Sequence, residues 1–179
     1  MKQIIFLLFY VNLFAFNSYQ IQTLQLVMDN AKLYKDYQGE TYPKTMAAIC
    51  LAESSAGKKE SIGKKTIGDI DTKTHKIENA SLGIMQLRVE TIKDIAKKYK
   101  IKNLLNKSDR EIAKLVLNNR VLSARLATLY FIMNINNYKQ YSIAISRYNG
   151  GTKNYKYIKR VLDKIKLVNK LIANGKLRI

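Results

Sequence analysis

The 179-residue chain falls within the size range of one domain. With 47% hydrophobic residues, one proline and eight glycines, it is neither a disordered polycation nor a proline- or glycine-rich linker protein. Lys and Arg number 32 against 13 Asp and Glu, a formal net charge of +19, which points to an anionic partner. One cysteine, Cys50, excludes an intrachain disulfide, and a single histidine, His75, leaves too few ligands for a structural zinc site, so no metal or cofactor is expected.

In chain order, Lys2 precedes an apolar run from Ile4 to Phe16, too short to span a bilayer comfortably. Residues 1–18 therefore read as a secretory signal, with an uncleaved anchor as the alternative because Ala15-Phe16-Asn17-Ser18 is a loose cleavage site. Residues 19–179 form the mature domain, expected in the periplasm or outside the cell and stabilised by core packing. Apolar residues recur at three- and four-residue spacing, and no sustained strand alternation occurs, so the fold is expected to be mainly helical with little or no β structure.

A first amphipathic helix is predicted over about residues 21–37. A second opens near Thr41-Tyr-Pro43, since proline suits a first helical turn, and runs to about Ser54. Within it, Met46-Ala-Ala-Ile-Cys-Leu-Ala52 is apolar, which makes Cys50 a buried small hydrophobe rather than a nucleophile paired with His75. From Ala56 to Ala80 the chain is rich in glycine and charge, long for a connection in a compact domain, and reads either as a lid or binding wall or as a solvated insertion.

Ser108-Asp-Arg-Glu111 has capping-box spacing, so a long helix should follow. Its buried stripe would hold Ile112, Leu115, Val116, Leu122, Leu126, Leu129 and Met133, with a break at Asn118-Asn119. The chain should turn near Asn136-Asn137 and make a shorter helix through Ser146. After Gly150-Gly151 it should end in a helix with Ile158, Val161, Leu162, Ile165 and Val168 on one face and Lys156, Lys159, Arg160, Lys164, Lys166 and Lys170 on the other.

Of the acidic residues, Glu53 is placed unusually, at the end of an apolar run and at a predicted helix C-terminus. Burial and the negative end of the helix dipole both disfavour a carboxylate there, so its pKa should be raised. A carboxyl protonated near neutral pH can donate to a leaving oxygen, the general-acid role in glycoside cleavage.

Three segments, Ala52-Glu53-Ser54, Ser81-Leu-Gly-Ile-Met-Gln-Leu87 and Ser146-Arg-Tyr-Asn-Gly-Gly151, stand in order and at spacings that resemble those of the lytic transglycosylases of the goose-lysozyme-like superfamily. The resemblance spans about residues 41–165 and implies a goose-type lysozyme-like helical fold. It implies that Glu53 is the single catalytic acid and base and that Ser54 holds the substrate or Glu53. Gly83 would let the backbone approach the sugar, Met85 and Gln86 would line the cleft, Tyr148 would orient Glu53, and Asn149 would contact the sugar or fix the following loop. Ile84 stands where the family has leucine, and Arg88-Val89-Glu90 lacks the proline that often follows Met-Gln.

The implied reaction cuts the β-1,4 bond between N-acetylmuramic acid and N-acetylglucosamine in peptidoglycan and closes a 1,6-anhydro ring. A hydrolytic goose-type lysozyme is the nearest alternative and would use Asp69 or Asp71 as a second acid. A secreted basic protein binding nucleic acid or anionic membrane is the alternative from another class, and it leaves the three segments unexplained. A monomer acting on peptidoglycan strands is expected, with a secretion or pilus apparatus as a conceivable partner and no nucleic acid.

Overall fold

A computed structural model describes residues 16–70 and 73–179. Nearly all of the expected signal segment, residues 1–15, lies outside the described residues. Eight helices and one two-stranded ribbon make up the described chain: α1 (Ser18–Lys32), α2 (Pro43–Ser54), β1 (Ile67–Gly68), β2 (Ser81–Leu82), α3 (Val89–Lys98), α4 (Lys102–Leu105), α5 (Asp109–Asn118), α6 (Arg120–Tyr138), α7 (Tyr141–Tyr148) and α8 (Tyr155–Ala173). Among the described residues no helix is long and apolar enough to cross a membrane.

Helix α1 begins earlier than its apolar periodicity suggests, because Asn17 and Gln20 form a reciprocal cap. Asn17 Oδ1 accepts from the Gln20 amide at 2.9 Å, and Gln20 Oε1 accepts from the Asn17 amide at 3.1 Å. It also ends earlier. Buried Asp36 organises the following segment by accepting from the amides of Gln38 (2.8 Å) and Glu40 (2.9 Å) and from the Tyr42 hydroxyl (2.6 Å). That turn delivers the chain to Pro43 and to α2, whose residues Thr45 through Leu51 are all buried. A helix apolar on every side belongs in the middle of a domain, and α2 indeed lies between α1 and α8. Helix α6 covers α1 and α7, and α7 in turn meets α8.

The Ser108 capping box forms as expected, with Glu111 Oε2 accepting from the Ser108 amide at 2.9 Å. The helix after it breaks at Asn119, whose side chain caps α6 through the Leu122 amide. Leu115 in α5 and Leu162 in α8, both expected in the core, are 36% and 43% exposed. The buried stripes are Ile112, Ala113, Val116 and Leu117 in α5, and Tyr157, Val161, Val168 and Leu171 in α8. Leu115 and Leu162 fall outside those stripes at 100° per residue. Helix α7 continues through Tyr148 rather than ending at Ser146.

The segment from Ala56 to Ala80 is fastened to the body at several points. Tyr19 donates to Glu60 Oε2 (2.8 Å), Asn17 Nδ2 to Ser61 Oγ (3.0 Å), and Lys65 Nζ to Asn118 Oδ1 (2.6 Å). Ile67 and Gly68 then pair antiparallel with Leu82 and Ser81. Its first half is thus a braced wall, not a solvated insertion.

Replacing Asp36 with Ala leaves two amides and a hydroxyl without the buried carboxylate that closes this turn. The expected cost is about 2 kcal/mol, read as a lower denaturation midpoint with unchanged m in urea unfolding.

Candidate active site

Glu53 occupies the last turn of α2, carried there by the buried run before it. The helix stops at Ser55, whose φ of 51° is left-handed, and Ala56 (58°) and Gly57 (71°) continue in that conformation. Three successive left-handed residues swing the chain away from the helix axis, an arrangement costly for the two that are not glycine. Its result is a crevice edge at Glu53 and Ser54.

The Glu53 side chain is half-buried at the crevice, and Tyr157 of α8, itself buried, donates its hydroxyl to Oε1 at 2.5 Å. Burial pushes the Glu53 pKa up, and the negative charge of Asp69 adds to that. The Tyr157 hydrogen bond and the Arg160 guanidinium pull it back without cancelling the rise. Burial and the adjacent Glu53 charge also hold the Tyr157 hydroxyl far above the ordinary tyrosine value, so it stays a donor. Arg160 sits 5.0 Å from the Tyr157 ring centroid, one turn along α8, so a residue that read as part of a solvated basic face also tunes this carboxyl.

The crevice runs in two directions from Glu53, each half about 470 Å³. Both halves share Glu53 and Gln86. One half is walled by Asp69, Ser81, Arg88, Tyr130, Tyr148 and Asn149, and the other by Ser55, Lys58, Lys59, Ile62, Ile67 and Gly68.

The segment Ser81–Leu87 is a tight hairpin, closed by reciprocal amide-to-carbonyl bonds between Leu82 and Leu87 (3.0 and 3.1 Å). Leu82, Ile84, Met85 and Leu87 point into the core, and Gln86, in a left-handed conformation at φ 50°, is the side chain delivered to the crevice. Its Nε2 donates to the Gly83 carbonyl at 2.9 Å, which fixes the amide.

Several expected roles are corrected. Met85 is fully buried and does not line the cleft; its carbonyl accepts from the Tyr148 hydroxyl at 2.9 Å. Tyr148 therefore gives its hydrogen bond to the hairpin while its hydroxyl still feels the Glu53 charge, and Tyr157 makes the hydrogen bond to Glu53. Ser54 is occupied as well: its hydroxyl donates to the Ile84 carbonyl at 2.7 Å and accepts from the Gly57 amide at 2.9 Å. Gly83 is buried, with φ 71°, and a Cβ there would lie 3.2 Å from both Ser123 Oγ and the Val116 carbonyl, so its glycine serves packing and not approach to a sugar. Asn149 does reach the crevice, and its Oδ1 accepts from Asn154 Nδ2 at 3.1 Å.

Tyr157 and Arg160 carry the signals missed by reading the sequence. Asp69, considered as a second acid, shares the crevice with Glu53, while Asp71 lies outside the described residues. Cys50 is buried and its thiol pushed up to about 12, which leaves it inert. Among the described residues no group of His, Cys, Asp and Glu is placed to hold a metal ion.

Compared with known families, residues 32–167 match the model described as "Transglycosylase SLT domain". No curated protein and no solved structure matches the chain.

The raised Glu53 pKa has a consequence for stability. The folded protein binds this proton more tightly than the unfolded chain, so the associated stability is fully present below about pH 4.5, the ordinary value, and is lost as pH rises through the folded value. Glu53→Gln keeps an acceptor for Tyr157 and carries no charge. Its melting temperature should exceed that of the wild type at pH 8, with the two converging at pH 4. Thermal unfolding at the two pH values checks this.

Proposed function

The chain belongs to the transglycosylase SLT domain family, whose lysozyme-like, mainly helical fold it has, and from that premise we propose that it cuts peptidoglycan strands with Glu53 as its one acid and base. The observation that carries the proposal is a half-buried carboxyl with raised proton affinity, held at one oxygen by Tyr157 and bordered by two cavities of about 470 Å³ each.

In this reading Tyr157 occupies Oε1, and the proton to be transferred sits on Oε2. Protonation of the bridging oxygen breaks its bond to C1 of N-acetylmuramic acid, and N-acetylglucosamine leaves with a 4-hydroxyl. The N-acetyl carbonyl of the muramic ring relieves the positive charge at C1. Glu53, now a carboxylate stabilised by the Tyr157 hydroxyl and the Arg160 charge, removes the proton from the C6 hydroxyl as O6 bonds to C1. A 1,6-anhydro end forms, no water is consumed, and Glu53 is again protonated. Gln86, fixed through the Gly83 carbonyl, and Asn149 supply polar groups beside the strand.

Such a reaction belongs to the periplasm or the cell exterior. It would serve wall turnover, cell separation or local opening of the wall for a secretion or pilus apparatus.

Hydrolysis is the second reading, favoured by Asp69 in the same crevice. Digestion of purified peptidoglycan with product masses separates the two. Anhydro-ended fragments are expected from the wild type and from Asp69→Asn. Fragments heavier by one water that disappear in Asp69→Asn would establish hydrolysis instead. Glu53→Gln should lose at least about a hundredfold in rate, within the range for a general acid–base group; equal release by both proteins would remove Glu53 from its role.

Tyr157→Phe removes a hydrogen bond that favours the carboxylate, so Glu53 should hold its proton to higher pH. The alkaline fall of kcat/KM should shift upward while the maximum rate drops, as measured by pH profiles on soluble glycan fragments.

A further inference from the structure

One strongly charged surface has no part in the proposed chemistry beyond Arg160. Helix α8 carries six cations, Lys156, Lys159, Arg160, Lys164, Lys166 and Lys170, against one acid, Asp163, which pairs with Lys166 at 2.9 Å. Its Tyr157, Val161, Val168 and Leu171 are buried, and the helix packs on α2 and α7, so its opposite side is left open. On that side Tyr155, Lys159, Leu162, Lys166 and Lys170 fall within an arc of about 80° at 100° per residue, over a length of about 22 Å. Tyr155 is 71% and Leu162 43% exposed. Lys156, Lys159 and Lys170 make no ion pair among the described residues.

The open face is built of two rows. Tyr155 and Leu162, seven positions apart, stand on one line along the helix, and Lys159 and Lys166, also seven apart, stand on the line beside it. A target that satisfies both rows has to offer anionic groups and apolar material side by side. Nucleic acid offers phosphates, and a base can stack on Tyr155, but it holds no apolar volume for Leu162. A bilayer with anionic lipid carries phosphates at its surface and hydrocarbon directly beneath. Lysines reach those phosphates on their long stems, while a tyrosine ring and a leucine settle among the headgroups.

We propose that this open face of α8, through Lys159, Lys166, Lys170, Tyr155 and Leu162, docks the protein on the surface of an anionic phospholipid bilayer. Part of the large positive charge thereby serves a defined contact. Lys156 and Arg160 border a depression of about 210 Å³ that shares Asn149 with the crevice, so the docking face and the crevice are neighbours. Given the proposed cutting of peptidoglycan, a docked protein works on strands that lie close to the membrane. Docking itself does not depend on that activity.

The test is sedimentation of the full chain with vesicles of phosphatidylcholine alone and of phosphatidylcholine mixed with phosphatidylglycerol. The apolar leading segment is common to all variants and cannot account for a difference between them. The wild type should bind the anionic vesicles at least about tenfold more tightly, a preference that shrinks as salt is raised to 0.5 M, where the Debye length falls to about 4–5 Å. Lys159→Gln/Lys170→Gln should lose about ten- to thirtyfold of the affinity for anionic vesicles, near fivefold for each lysine. Tyr155→Ser/Leu162→Ser, with its charge unchanged, should lose about three- to tenfold on the same vesicles and keep its affinity for a single-stranded oligonucleotide. Equal binding of the wild type to both kinds of vesicle, or unchanged vesicle binding in either double variant, would overturn docking by this face. An equal loss on the oligonucleotide in Tyr155→Ser/Leu162→Ser would mark a general polyanion surface and overturn the lipid assignment. Glu53→Gln should bind vesicles as the wild type does, so a protein that docks but cuts no glycan would overturn the proposed activity and leave docking standing.

Discussion

The hydrogen bond from Tyr157 to Glu53 joins two requirements that pull against each other. A carboxyl that must donate a proton near neutral pH has to be kept from water, and a carboxylate that must take a proton back has to be tolerated in the same place. Burial at the end of α2 meets the first requirement, and a hydroxyl with Arg160 one turn beyond it meets the second. Both depend on α2 lying against α8 in the interior, because a helix wetted on one side would let its last turn fray into solvent. The burial of α2 from Thr45 to Leu51 is therefore a condition of the chemistry and not only of stability.

Around that pair the hairpin at Ser81–Leu87 works as a spacer clamped from two sides. Ser54 fastens it through the Ile84 carbonyl, and Tyr148 through the Met85 carbonyl. Each bond satisfies a backbone carbonyl of the hairpin, that of Ile84 together with the Cys50 thiol, and so ties the three segments to one another. Gln86 then projects from a left-handed backbone that the closed hairpin over-determines. Ser54, Gly83, Met85 and Tyr148 hold the framework through their hydrogen bonds and packing, and Glu53, Gln86 and Asn149 bring polar side chains to the crevice that Tyr148 also walls.

What could be read from the sequence followed locality. The start of α2 rests on the fixed φ of Pro43 in the first helical turn, and the Ser108–Glu111 cap and the break at Asn119 on side chains bonding to backbone within a few residues. The unusual position of Glu53 was also legible, since an apolar run followed by an acid is visible in one dimension. Tyr157 was not: it is 104 positions from Glu53 and looks like any aromatic on a helix core face. The weak signal was Arg160, a cation one turn from a tyrosine on a helix already rich in lysine. Tyr148 was assigned the wrong partner for a related reason. Its own motif places it near the crevice, but the direction of a hydroxyl is set by tertiary packing, here by the hairpin carbonyl that reaches it first.

The proposed chemistry requires a raised proton affinity at one side chain, Glu53. With every glutamate carrying a carbon-13 label at its side-chain carboxyl and the Glu53 signal identified by its loss in Glu53→Gln, an NMR titration of the ligand-free protein follows each group separately. The Glu53 midpoint should lie above the ordinary glutamate value of 4.5, with the other glutamates serving as internal references. A Glu53 midpoint at or below 4.5 would mean that solvent reaches the carboxyl freely or that Tyr157 and Arg160 outweigh burial, and either result would contradict a proton held ready for a leaving oxygen.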